Sequence, residues 1–191
     1  MAVVGKHGVT ENTPKNVLLG AGTYMKGLKF ADGKWGGTII GATNGGGKVS
    51  IKGEFTDIEL DGALVKFKGQ TVKVGGTAQI EANFAEVTGD VLKMASLFTE
   101  GQSDADGYTM LVDKANISEN DYVEGFGFVG KTADGSKDII VVFENGLCTS
   151  GLELEGKNKE ASVIKLTIDA YANNTGDLDT LPVKIYYPVV A

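Results

Sequence analysis

Few side chains in this chain have the type or spacing for chemistry. There is one histidine, His7, and one cysteine, Cys148. That leaves no Cys–His pair to propose and no zinc-ligand cluster. His7 stands in a polar N-terminal stretch and reads as solvated or structural. Cys148 follows a turn pair after an apolar run and reads as a small core or turn residue. Gly41 to Lys48 has the outline of a phosphate loop, but position 42 is Ala where the motif needs Gly, and Val49 stands where Ser or Thr must bind magnesium. Asp57-x-Glu59-x-Asp61-Gly62 opens like a calcium-binding loop. Its twelfth position is Lys68, where a bidentate Glu is needed. At most, Glu59 and Asp61 offer a weak cation site. No catalytic pair of carboxylates stands out, so the chain reads as a non-enzyme without a cofactor.

The elements around that acidic run are more informative. Lys48, Ser50, Lys52 and Glu54 alternate with apolar Val49, Ile51 and Phe55, with Gly53 neutral between them. A period of two marks a strand with one wet face. The alternation returns further on, where Thr71, Lys73, Thr77, Gln79, Glu81 and Asn83 face one way and Val72, Val74, Ala78, Ile80 and Ala82 the other. Between the strands, over about 55–70, lies an excursion longer than the two to five or so residues of a tight hairpin. It carries Ile58, Leu60, Leu64, Val65 and Phe67. An isolated flap with that much apolar surface is an aggregation hazard. It needs something to pack on, and a second copy of the chain is a good candidate.

Composition narrows the class. The chain has 191 residues, of which 42% are hydrophobic and 23% charged, an ordinary globular balance. The glycines fall in turn pairs rather than in a linker, so the expected layout is an arm over 1–16 followed by a single domain over 17–191. No run of about 18 apolar residues suggests a membrane span. The opening Met-Ala-Val-Val-Gly-Lys-His-Gly lacks the apolar region of a secretion signal. A single cysteine fits a reducing compartment. The net charge of -7 sits in the second half, where 7 Lys face 15 acids. All 18 basic residues are Lys. Without arginine, the residue suited to bidentate phosphate and base recognition, the chain is a poor sequence-specific nucleic-acid binder.

In chain order, Val17–Gly22 and Tyr24–Phe30 read as short extended pieces, Asp32-Gly33 as a turn, Thr38–Ile40 as a short strand and Asn44–Gly47 as a flexible turn. Pro14 would interrupt a helix in the arm. Val87, Val91, Leu92, Met94, Ala95 and Phe98 recur at helical spacing. They predict one helix over about 86–99, with Asn83 or Thr88 as N-cap and Gly101 ending it. Strands are expected at Tyr108–Asp113, Tyr122–Lys131, Lys137–Glu144, Leu152–Glu155, Glu160–Ala172 and Val183–Val189. Turn pairs Asp134-Gly135 and Asn145-Gly146 separate some of them. Ile139–Phe143 is apolar throughout and should be buried on both faces. The expected fold is mainly β, a sandwich or part-barrel with one helix.

Several short motifs come in a familiar order. Asn16-Val-Leu-Leu-Gly-Ala-Gly22 is followed by Thr38-Ile-Ile-Gly-Ala-Thr43, then by Asp57-Ile-Glu-Leu-Asp-Gly-Ala63 leading through Lys66-Phe-Lys-Gly69 into the second alternating strand. In this order they resemble the major tail tube protein of long-tailed bacteriophages. Leu64 and Val65 depart from it, standing where such proteins often have Arg. The resemblance implies a virion protein made in the cytoplasm of a host bacterium, with hexameric rings stacking into a hollow tail tube. Inner strands would join around the ring into one barrel, and the long loop (Asp57, Ile58, Glu59, Leu60, Asp61, Leu64, Val65, Phe67) and the arm would bridge subunits and rings. Implied partners are further copies of the chain and the tape-measure, tail-tip and tail-terminator proteins. Double-stranded DNA would pass through a typically acidic lumen without specific binding, and no membrane is involved. Thr77, Gln79, Glu81, Asn83, Thr167 and Asp169 are the candidates for the lumen. Lys48, Lys52 and Lys73 would attract phosphate there, so neighbouring acids should offset them or some should face elsewhere.

Other readings stay open. The inner tube of a contractile tail or injection device shares the fold. A bacterial surface β-sandwich domain is an alternative of another class. A carbohydrate-acting sandwich enzyme would need an aromatic platform, and Trp35 is the only Trp.

Overall fold

Alternation of apolar and polar side chains forms the frame, and the computed structural model describes it over residues 8–156 and 158–188. A helical turn α1, Thr13–Asn16, opens it. Pro14 does not interrupt that turn but starts it, since a first-turn residue needs no N–H partner. The strands that follow are β1 Leu18–Ala31, β2 Lys34–Ile39, β3 Thr43–Asp57 and β4 Thr71–Phe84. Helix α2 spans Gly89–Ser96, and β5 Thr99–Glu100, β6 Leu111–Val112, β7 Val123–Glu124 and β8 Gly127–Thr132 come next. The last strands are β9 Asp138–Phe143, β10 Asn145–Cys148, β11 Ile164–Tyr171 and β12 Val183–Tyr186. Strand accounts for 46% and helix for 8%, so the chain is mainly β. Its two five-stranded antiparallel sheets run β12-β9-β8-β1-β2 and β3-β4-β11-β10-β7.

The core lies between these sheets. Tyr24 and Phe128 of the first meet Ile80, Ala82, Phe84, Leu166 and Ile168 of the second, and Val91 and Ala95 of α2 complete the cluster. The Tyr24 ring packs against Phe84 at 5.8 Å and Phe128 at 5.5 Å. Its hydroxyl, buried and pushed above its usual pKa by desolvation, donates to the Glu81 carbonyl at 3.4 Å. On β4 the expected alternation holds from Ala78 to Phe84, with every even-numbered residue buried. Ile140, Val141 and Phe143 of β9 are buried, while Ile139 and Val142 are half-buried, short of the full two-sided burial expected.

Several expected boundaries move. The two pieces at Val17–Phe30 are one 14-residue strand, with a register shift inside each of its pairings. Asp32-Gly33 does turn the β1–β2 hairpin, with φ of 51° and 73°, the left-handed pair of a tight type I′ turn. Asn44–Gly47 lies within β3, and an irregularity between Thr43 and Gly47 absorbs the glycines. The helix is shorter than 86–99. Thr88 caps it, accepting from the Val91 N–H at 3.2 Å, and Leu97 at φ 56° ends it before Gly101. A cap of this kind contributes about 1 kcal/mol. Asn83 is in β4 and caps nothing. Tyr108–Asp113 reduces to a two-residue strand, and Tyr122–Lys131 breaks at Gly125, whose backbone bonds to Leu28 and Glu144. Asn145-Gly146 is not a turn but the start of β10, and Leu152–Glu155 forms no strand. His7 and the end of the expected last strand lie outside the described residues.

Candidate assembly surfaces

Strands β3 and β4 form a hairpin longer than the core they serve. They pair from Thr43↔Phe84 out to Asp57↔Thr71, with a bulge between Glu54 and Phe55. The bulge inverts the alternation expected over 71–74: Lys73 stands opposite Phe55 and Val72 opposite Thr56, so Lys73 shares the Ala78 and Ile80 face and Val72 does not, and Val72 and Val74 are both exposed. The connecting loop is thus 58–70 rather than 55–70. At its tip Leu64 is 97% and Val65 78% exposed, and Ile58, Leu60 and Phe67 are also open to solvent.

The base of this loop is held firmly. Gln70 donates to the Ile58 carbonyl at 3.0 Å and accepts from the Phe67 N–H at 3.2 Å, while the Ile58 N–H donates to the Gln70 carbonyl at 2.9 Å. Asp57 accepts from Thr71 at 2.5 Å and pairs with Lys66. Hydrogen bonds from Lys66 first and Thr71 second hold the Asp57 carboxyl below its usual range. Asp57 is therefore committed to these partners, which leaves Glu59 and Asp61 of the acidic run. Among the described residues no group of three or more His, Cys, Asp or Glu side chains is placed to hold a metal. Gln70 was missed in the sequence because a lone polar residue beside a glycine gives no periodic signal.

The second surface is the polar face of the second sheet. Register sets Lys48 opposite Glu81 and Glu81 opposite Thr167, Ser50 opposite Gln79 and Gln79 opposite Asp169, Lys52 opposite Thr77, and Asn83 opposite Lys165. Thr77, Gln79, Glu81, Asn83, Thr167 and Asp169 thus share one face, all of them half-buried except the exposed Thr77. Glu81 lies between two lysines, with Lys48 Nζ at 3.5 Å and Lys165 Nζ at 3.4 Å. The Lys48 charge lowers the Glu81 carboxyl below its usual range, burial opposing it and Lys165 adding to it. Asp169 accepts from Thr149 at 2.8 Å. Lys48 is offset by an acid, as expected. Lys52 and Lys73 form no ion pair among the described residues. Lys165 also stands on this face. It alternates with Thr167 and Asp169 along β11 and pairs with Asn83.

The sheet ends openly on both sides. Among the described residues β3 pairs only with β4, which leaves its other edge open, and at the far side β7 covers only Asn145 and Gly146 of β10. Among the described residues no helix is long and apolar enough to cross a membrane. No protein-family model matches the chain, and no curated protein matches it.

Proposed function

We propose that the chain is a structural subunit that polymerises as stacked rings into the tail tube of a long-tailed bacteriophage, the conduit through which DNA leaves the virion. The single observation that carries this reading is the β3–β4 arm. It extends beyond the core, is fixed at its base by Gln70 and Asp57, and presents Phe55, Leu60, Leu64, Val65 and Val74 to solvent. Burying a Leu or Phe side chain contributes about 1.5–3 kcal/mol. A handful of them on one arm offsets an association cost of about 4–15 kcal/mol. Open edges at β3 and β10 supply the second requirement. A copy set beside β3 pairs its free N–H and C=O groups, and repetition around a ring closes a barrel with no edge left.

In this reading the face of Lys48, Glu81 and Asp169 lines the lumen. Lysines and carboxylates alternate on it, so passing phosphate meets no block of free cations. Tape-measure, tip and terminator proteins would set the tube's length and ends, and the assembled chain resides in the virion tail. Negative-stain electron microscopy of the purified protein, dilute and then concentrated, tests the reading. Hollow rings or tubes that grow with concentration are the expected result. Monodisperse particles at every concentration, with none recruited by preformed tail tips, would overturn it.

A further inference from the structure

A groove of about 650 Å³ lies where the first sheet, at Leu28, Val142, Lys184 and Tyr186, meets Glu124 of β7 and Asn145 of β10 in the second. Trp35 stands opposite Phe30 near the tip of the β1–β2 hairpin, and Tyr186 belongs to β12 at the other edge of the same sheet. In a flat sheet of five strands those edges lie about 19 Å apart. Yet the Trp35 and Tyr186 ring centroids are 4.7 Å apart, with Phe30 a further 5.5 Å from Trp35. The hairpin tip is therefore folded across the face, and the register shift between Lys26 and Lys29 is where it bends. Buried Leu28 and half-buried Val142 lie under it. The aromatic platform that a lone Trp argued against is thus assembled from three residues distant in sequence.

We propose that this groove binds a neutral saccharide. Its volume falls within the range of small-ligand sites, and its lining mixes aromatic rings with charged and amide side chains. Phe30 is 59% and Tyr186 42% exposed, and the rings meet at 60° between Phe30 and Trp35 and 70° between Trp35 and Tyr186, so the platform is open but angled rather than flat. Glu124, Glu144, Lys29 and Lys184 also line the groove and form no ion pair among the described residues. Asn173 accepts from Asn145 at 3.0 Å and keeps its own amide hydrogens to donate. The two signs of charge balance, so an anion meets the carboxylates and a cation meets the ammonium groups. A neutral ligand rich in hydroxyls uses both, donating to the carboxylates and accepting from the lysines. Its sugar rings present C–H faces to Trp35 and Tyr186, whose ring faces are electron-rich.

Trp35 is the only Trp, so selectively excited tryptophan fluorescence reports on this groove. The full chain is titrated with cellotetraose, maltotetraose, chitotetraose and mannotetraose. The expected result is a saturable shift with at least one of them, at micromolar to millimolar affinity. Tyr186→Ala should weaken that binding at least tenfold, about 1.4 kcal/mol or more, and Glu144→Gln about threefold to tenfold, roughly 0.7–1.4 kcal/mol, while circular dichroism shows both variants folded. No saturable shift with any of the four, or equal binding by both variants, overturns the proposal. So does a shift that follows protein concentration without sugar, which assigns the groove to a second copy. A shift with choline instead assigns it to a cation.

Discussion

At the scale of single residues, the joint between the two sheets turns on Gly47. A Cβ there would lie 1.9 Å from the Tyr24 hydroxyl oxygen and 2.3 Å from the Glu81 carbonyl oxygen. One obstacle is a buried side chain of the first sheet and the other is backbone of β4, so neither can give way freely. Gly47→Ala is expected to destabilise by about 1–3 kcal/mol, the usual cost of overpacking. Tyr24→Phe removes the nearer obstacle and only a long hydrogen bond of 3.4 Å. Alone it should cost less than Gly47→Ala, and in its background the alanine should regain part of its loss. Urea unfolding of the four proteins of this cycle measures the coupling. Additive effects would mean that β3 moves as a unit and that Tyr24 is not the obstacle. Glycine at position 47 signals a turn in sequence, but in the fold it marks a close approach inside a strand.

At the scale of elements, the period of two was a reliable guide wherever one face is buried and the other wet. That condition holds along β4 from Ala78 to Phe84 and along β11, so those strands and their facing were legible. It fails for Asn145-Gly146. There a Cβ on Gly146 would come within 2.7 Å of Ile168 and 2.9 Å of Phe126, so glycine is required by packing and not by a turn. Nor could the fold of the β1–β2 tip over its own sheet be read locally, because Trp35 and Tyr186 are brought together only by tertiary bending. The long loop, by contrast, announced itself through apolar residues in a connection too long for a tight hairpin. Replacing residues 59–69 with a short glycine-containing turn should leave the monomer's melting temperature within a few degrees, since no residue from Ile58 to Gly69 is buried. Assembly into rings or tubes should be lost. Thermal unfolding and electron microscopy of the same preparation check the two halves of this expectation. A large fall in melting temperature would make the loop part of the core.

At the scale of the whole molecule, the polar sheet face combines Lys48, Lys52 and Lys165 with Glu54, Glu81 and Asp169, while the bulge turns Lys73 and Asp57 to the other face. The net negative charge of the chain is therefore not concentrated where DNA would pass. A lumen built from this face is close to neutral rather than strongly acidic, and Glu81 is the carboxylate that offsets Lys48 and Lys165 there. Reversing Glu81 and Asp169 to Lys removes that balance, and a ring repeats the change in every subunit. In assembled particles the double variant should eject DNA more slowly at about 0.1 M salt. It should recover toward the parent rate near 1 M, as the screening length falls from about 10 to about 3 Å. Glu81→Gln is the control, because it breaks the contacts to Lys48 and Lys165 without adding a cation. If Glu81→Gln slows ejection as much as the double reversal and salt does not restore it, the effect is structural. If the double reversal leaves ejection unchanged, these residues do not line the channel and the other sheet must be reconsidered as the inner wall.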